Sequence, residues 1–224
     1  MLQNRKILLL GAGGHCLSVL GSLANLNLFS EVGVIDRSIR SIEELSEKDN
    51  FFNMGISLFG TDDDLNRLYT EGYTDAFVTV GSMGDTSTRK KLYHKLKEIG
   101  FNIPNIIDKS STFSNFASLG EGNFIGKNAV INAGVTIGKC AIVNSSATIE
   151  HQCNVNDFAH IAPGRILCGN VVIGANTHVG AGCVVKQGLK IGSDTIIGMG
   201  SVVISDIRSN VVAFGNPCRE VEHE

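Results

Sequence analysis

From Leu119 to Arg208 the chain has an aliphatic residue at every sixth place. Written as hexapeptides the segment reads LGEGNF, IGKNAV, INAGVT, IGKCAI, VNSSAT, IEHQCN, VNDFAH, IAPGRI, LCGNVV, IGANTH, VGAGCV, VKQGLK, IGSDTI, IGMGSV, VISDIR, and all fifteen units open on Leu, Ile or Val. The second position is often glycine (126, 138, 174, 180, 192, 198), and the fifth is usually small or β-branched. Neither the period of 2 of a strand nor the 3.6 of a helix produces this spacing. A three-sided coil does, with one short strand and one turn per side and eighteen residues per circuit. Each first-position aliphatic then points inward onto its equivalents in the coils above and below, and Gly and Asn supply turns because both tolerate φ > 0. A buried aliphatic contributes roughly 1.5–3 kcal/mol, against about 1–2 kcal/mol per residue of backbone ordering. A single coil therefore does not fold alone, whereas a stack of five does.

The first half has a different pattern. KILLL before Gly11 reads as a buried strand, Gly11-Ala12-Gly13-Gly14-His15 as a turn, and residues 14–27 as a helix with Leu17, Val19, Leu20 and Leu23 at helical spacing. EVGVID ends at Asp36, and 38–55 reads as a polar, irregular, mobile loop. Then follow a strand ISLFG, a helix from about Asp62, a strand DAFVTVG, a helix over 88–99 capped by Thr86 or Ser87 and stopped by Gly100, and a last strand FNIPNII. Alternating strands and helices predict a small Rossmann-like parallel α/β domain over 1–108. The coils then span 109–210 and a tail 211–224, with EVEHE frayed.

Composition narrows the function classes. A net charge of −3 over 224 residues gives no reason to expect nucleic acid or an anionic membrane as partner. No apolar run approaches a membrane span. The opening MLQNRKILLLGAGG has a basic start and a short apolar run but no cleavage site, so a cytoplasmic location is expected. The six cysteines form no CxxC, and Cys140, Cys153 and Cys183 sit at fourth or fifth positions as reduced packing residues.

The glycine loop invites a dinucleotide-binding reading. The G-x-G-x-x-G fingerprint needs a third glycine for close helix–strand packing; here Gly11 and Gly13 are present but the third place is Cys16. The loop suits a nucleotide or phosphate at a helix N-terminus, with Asp36 in the ribose-binding region, and disfavours NAD; a plain structural turn is the other reading. Gly81-Ser82-Met83-Gly84 follows a strand at the same carboxyl edge, where ligands of open α/β sheets gather.

Among the histidines, His151 stands between Glu150 and Gln152, and Gly169 follows it by one coil, leaving space beneath the imidazole. His160 comes half a coil later and His178 one coil after that. An imidazole is a natural general base for an attacking amine or hydroxyl; a histidine on a coil surface is also commonly just solvated. His94 and Lys90–Lys91 read as a solvated helix face. Arg165, at a fifth position, reads either as reaching a phosphate or as an exposed corner. Arg219, beside Pro217, is the better candidate for phosphate contact.

The hexapeptide pattern resembles that of the left-handed parallel β-helix acyltransferases. With GAGGH at the front, ATIEHQCNVNDFAHIAPG in the middle and GNPCR near the end, nearly the whole chain resembles the NeuD/PglD family of sugar acetyltransferases. These include nucleotide-linked amino-sugar N-acetyltransferases and sialic acid O-acetyltransferases. The resemblance implies acetyl-CoA as cosubstrate with no metal, a homotrimer with each active site shared by two subunits, and a role in bacterial surface glycan biosynthesis. It implies His151 as catalytic base, His160 in contact with acetyl-CoA, and the Gly169 N–H at the thioester oxygen. It implies Gly13, Gly14, His15, Asp36, Arg37 and Gly81 at the nucleotide sugar, and the turns at Ala181 and Met199 along the CoA groove. Gln152 departs from the Asp or Glu that often follows the base; a neutral amide orients the ring but does not stabilise imidazolium as a carboxylate does.

The reading is therefore an N-acetyltransferase acting on the 4-amino group of a nucleotide-linked (UDP) amino deoxy sugar. The alternatives are an O-acetyltransferase of sialic acid or a related sugar, a β-helix zinc lyase using His151, His160 and His178, and a non-catalytic nucleotide-sugar-binding protein.

Overall fold

A computed structural model of the chain describes residues 5–36 and 56–221. The loop expected over 38–55 and Arg37 lie outside the described residues. The chain forms two compact units, one of residues up to 81 together with 87–106, the other of 82–86 together with 107 onward.

In the first unit, β1 (Lys6–Leu10), α1 (Gly14–Leu23), β2 (Glu31–Ile35), β3 (Ile56–Phe59), a short 3₁₀ turn (Asp62–Asp64), α2 (Leu65–Thr70), β4 (Asp75–Val78) and α3 (Ser87–Ile99) follow in chain order. The strands pair in parallel in the order β3-β2-β1-β4. Ile7 through Leu10 are almost wholly buried, as a central parallel strand covered on both faces requires. The strand expected over FNIPNII is not continuous: Asn102 makes an isolated bridge to Asp75, and only Ile106–Ile107 is a strand. Pro104, between them, has no N–H to donate.

The second unit is a left-handed parallel β-helix with sides of five, eight and six short strands. Up to the last coil, strands pair in parallel with those eighteen residues on: Thr136 with Asn154, Ile142 with His160, Thr148 with Ile166. The first-position aliphatics stack inside, Ile125, Val143, Ile161, Val179 and Ile197 down one side, all inaccessible to solvent. Glycine and asparagine supply turns as the pattern suggested, but the second-position glycines have a different task. Left-handed turns fall at the fourth position of every hexapeptide but the last, on Gln152 (φ 60) and even Phe158 (φ 59) as well as on glycine and asparagine. The second-position glycines are there because the coils approach closely. A Cβ on Gly174 would come 2.4 Å from the Ser193 nitrogen, and one on Gly138 2.8 Å from that of Asp157.

Residues 212–221, expected as a tail, continue the coil. Val212–Gly215 pairs in parallel with Ile196–Ile197 and in antiparallel with Cys218–Val221. Glu220 accepts from the Arg208 backbone (2.8 Å) and forms an ion pair with its guanidinium (2.6 Å). Buried Ala213 and Cys218 make this end part of the core, so Glu220 and Val221 are strand rather than frayed end; residues 222–224 lie outside the described residues. All six cysteines are free, and five are buried.

Candidate active site

Three groups of candidate residues form on the two units. The first is the glycine loop. Gly11 adopts φ +110°, and its N–H donates to Ile35 O at 2.9 Å. The next N–H, of Ala12, donates to Asp36 Oδ2 at 2.7 Å, so Asp36 ties the loop to the end of β2. Gly13 caps α1 without any side-chain hydrogen bond. Neither Gly13 nor Gly14 has a left-handed φ, and a Cβ on either would meet no atom within 4 Å. Their lack of side chains answers no requirement of the chain's own packing; it leaves the helix N-terminus open to an anion. A Cβ on Gly81 would lie 3.9 Å from that of His15, so these two candidates are neighbours. Cys16, at the third place of the fingerprint, is fully buried, and burial pushes its thiol up to about 12.

Beside the loop a cavity of about 370 Å³ is lined by Leu10, Gly11, Ile35, Asp36, Val80 and, among others, Lys91. That volume falls within the range of about 300–1,000 Å³ for small-molecule pockets. It lies where β1 continues to β2 on one side and is flanked by β4 on the other, the switch point at which open α/β sheets bind ligands. Sequence reasoning missed Asp62, Val80, Thr88, Lys91 and Leu92 as lining residues. Lys91, on a helix face that the sequence reads as solvated, is exposed but faces this cavity. The available signal was the i, i+3, i+4 spacing of Thr88, Lys91 and Leu92, which sets them on one side of α3.

The second group lies on one corner of the β-helix. His151 Nδ1 and Gln152 Oε1 are 3.2 Å apart. With Nδ1–H donating to the amide oxygen, Nε2 carries the lone pair. The ring lies against Gly169 of the next coil, where a Cβ would come 2.4 Å from Nε2. No acceptor among the described residues takes the Gly169 N–H. Glu150 accepts from Asn132 Nδ2 at 2.8 Å, an engagement away from the imidazole.

The third group lies on a different side of the coil. His160 and His178 are register partners whose rings meet edge to face at 4.8 Å. His160 Nδ1 is 2.7 Å from Ser82 O, so Ser82 of the loop after β4 is held against the coils. Burial, and then the charge of Arg165, hold His178 below the ordinary histidine range. Ala181 and the exposed Met199 follow on the next corner, and exposed Arg219 lies on the final strand. Arg165 is no exposed corner: it is fully buried, because the fifth position points into the coil. Within one chain the His151–Gly169 corner and the His160–His178 side are separate. Among the described residues no three His, Cys, Asp or Glu side chains cluster to hold a metal ion.

The PglD N-terminal domain model matches residues 6–96, and the bacterial transferase hexapeptide model matches 116–151 and 170–205. A histidine-to-asparagine mutant of perosamine N-acetyltransferase from Caulobacter crescentus, solved with CoA and GDP-perosamine, is 30% identical with a TM-score of 0.85, over 100% of both chains. The acetyltransferase domain of PglB from Neisseria gonorrhoeae, solved with acetyl coenzyme A, is 32% identical with a TM-score of 0.87, over 98% of this chain and 100% of that one. This chain belongs to the NeuD/PglD family of sugar acetyltransferases. The likeness spans both units of this chain, since each of these relatives matches nearly all of it along its own full length. WeeI from Acinetobacter baumannii, 22% identical with a TM-score of 0.81 over 97% of this chain and 100% of that one, shares the fold. None of the described helices is long and apolar enough to cross a membrane.

Proposed function

We propose that this protein transfers the acetyl group of acetyl-CoA to the 4-amino group of a nucleotide-linked amino deoxy sugar, with His151 as general base. The observation that carries the reading is the placement of His151 over Gly169, with Nδ1 engaged by Gln152 and Nε2 left as acceptor. The sugar amine attacks the thioester carbonyl directly. As the C–N bond forms, Nε2 takes a proton from the nitrogen and the carbonyl oxygen becomes an oxyanion, which the Gly169 N–H stabilises. Collapse breaks the C–S bond, and the CoA thiolate leaves with the proton that His151 returns. An uncharged amine is already a good nucleophile, which fits a base oriented by an amide rather than a carboxylate.

The donor lies along His160, Ala181 and Met199, with Arg219 toward its phosphates; the nucleotide occupies the glycine-loop unit at Gly13, Gly14, His15, Asp36 and Gly81. Because His151 and His160 are on different sides of one coil, one copy supplies the base and its neighbour the donor face, in a homotrimer. The separation of the two histidine groups supports this arrangement, as does the occurrence of CoA and a nucleotide sugar together in the C. crescentus relative.

The test is thiol release from acetyl-CoA with UDP-, dTDP- and GDP-linked 4-amino deoxy sugars and sialic acid offered side by side. Turnover with a nucleotide amino sugar, lost in His151→Ala, supports the proposal; turnover with sialic acid alone overturns it in favour of O-acetylation. Mixed oligomers of His151→Ala and His160→Ala regain activity if sites are shared and stay inactive if each chain is self-contained.

A further inference from the structure

Arg165 occupies a column that the fold fills with small side chains. Its equivalents one and two coils away are Ala129, Ala147, Cys183 and Ser201, all inside the same corner. Among the described residues Arg165 is the largest fully buried side chain, with no exposure to solvent. Nε donates to Gly180 O at 3.1 Å, while Nη1 and Nη2 meet no acceptor among the described residues. Its charge acts on the Cys183 thiol and on His178, neither of them an anion at neutral pH.

Burying a charge without a counter-ion costs stability. The fold itself does not require it: a second-position carbonyl one coil on, Gly198 O, is held by the Cys183 thiol at 3.0 Å and the Ser201 hydroxyl at 2.7 Å. The guanidinium does what a small hydroxyl does elsewhere and adds a positive charge beneath the surface of that corner. A buried charge that the fold does not itself require points to function. The turn whose carbonyl Arg165 holds leads directly into Ala181.

Resting on the donor reading above, we propose that Arg165 is a positioning residue for the acyl donor. From inside the coil it fixes the turn over residues 180–182 and supplies a poorly screened positive charge under it, which favours the polyanionic CoA ester. Such a charge acts through low-dielectric protein rather than water, so it is weakened little by salt.

The experiment compares wild type with Arg165→Met, which keeps the length without charge or donors, and Arg165→Lys, which keeps the charge. Calorimetric CoA affinity, KM for acetyl-CoA, KM for the amino sugar, kcat and Tm are measured on each. For Arg165→Met we expect a rise of about tenfold in CoA Kd and acetyl-CoA KM, with kcat and amino-sugar KM unchanged and Tm equal or higher. Arg165→Lys falls between the two. Unchanged CoA affinity in Arg165→Met overturns the inference, and so does a lower Tm with both KM values and kcat altered together, the mark of a packing role. Wild type that binds CoA but acetylates no amino sugar defeats the proposed reaction while leaving the Arg165 comparison intact.

Discussion

The imidazole of His151 occupies the volume that a side chain on Gly169 would need, since a Cβ there would come within 2.4 Å of both Cε1 and Nε2. One residue is the proposed base and the other the proposed oxyanion donor, and the eighteen-residue repeat brings them together. Gly169→Ala keeps the N–H but displaces the ring. Misplacing a catalytic group by about 1 Å costs on the order of 10²-fold, so kcat falls about that far. Thiol-release kinetics check it, with calorimetry to confirm that both substrates still bind.

His151 is exposed, so His151→Ala leaves the coil folded and Tm nearly unchanged. The loss of general base catalysis lowers kcat by about 10²–10⁴. A comparable fall in Tm and in activity would instead make the residue structural.

Gln152→Glu sets a carboxylate against His151 Nδ1, where the wild-type amide oxygen is 3.2 Å away. A carboxylate favours imidazolium. The acid limb of the pH–rate profile for kcat/KM then moves toward higher pH, and activity at a fixed acidic pH drops. An unchanged profile would mean that residue 152 does not act on the base.

The loop glycines separate by the reason for each. Gly11→Ala forces a side chain into φ +110° and to 2.8 Å from Val80 Cγ2, and costs about 1–3 kcal/mol of stability. Gly14→Ala meets nothing within 4 Å and, at the first position of α1, leaves stability equal or slightly higher. It nevertheless weakens nucleotide binding by obstructing the helix N-terminus. Denaturant melts and nucleotide calorimetry on the two variants distinguish these outcomes.

His178 gives stability a pH dependence. Burial, then the Arg165 charge, lower its folded value from 6.5. Below about that pH the unfolded chain binds a proton that the folded chain does not, so stability is present above 6.5 and declines as pH falls through the folded value. Melts of wild type and His178→Phe from pH 7 to 5 should show a smaller loss in the variant; parallel curves would remove His178 as the source.

The coils were legible because their hydrophobic period is local and unambiguous: the first-position aliphatics from Ile125 to Val203 are all in the core. The pairing of His151 with Gly169 followed from the same count, as did that of His160 with His178. The roles of the glycines were less legible. At the second position they admit the backbone of the next coil, as Gly174 does against Ser193, and a linear sequence does not carry inter-coil distances. The hairpin over 212–221 departs from the sixfold pattern, so nothing in its spacing marked it as part of the β-helix.

The sequence by itself determined the repeat, the order of strands and helices in the first unit, and the candidate base, because each depends on side-chain type at fixed spacing. Only the tertiary structure decided that Lys91 faces a cavity, that Asp36 binds the Ala12 N–H, and that Arg165 is buried rather than exposed. Those outcomes depend on which chain segments far apart in sequence close over a side chain. The cost of burying a polar group is set by the neighbours it then finds.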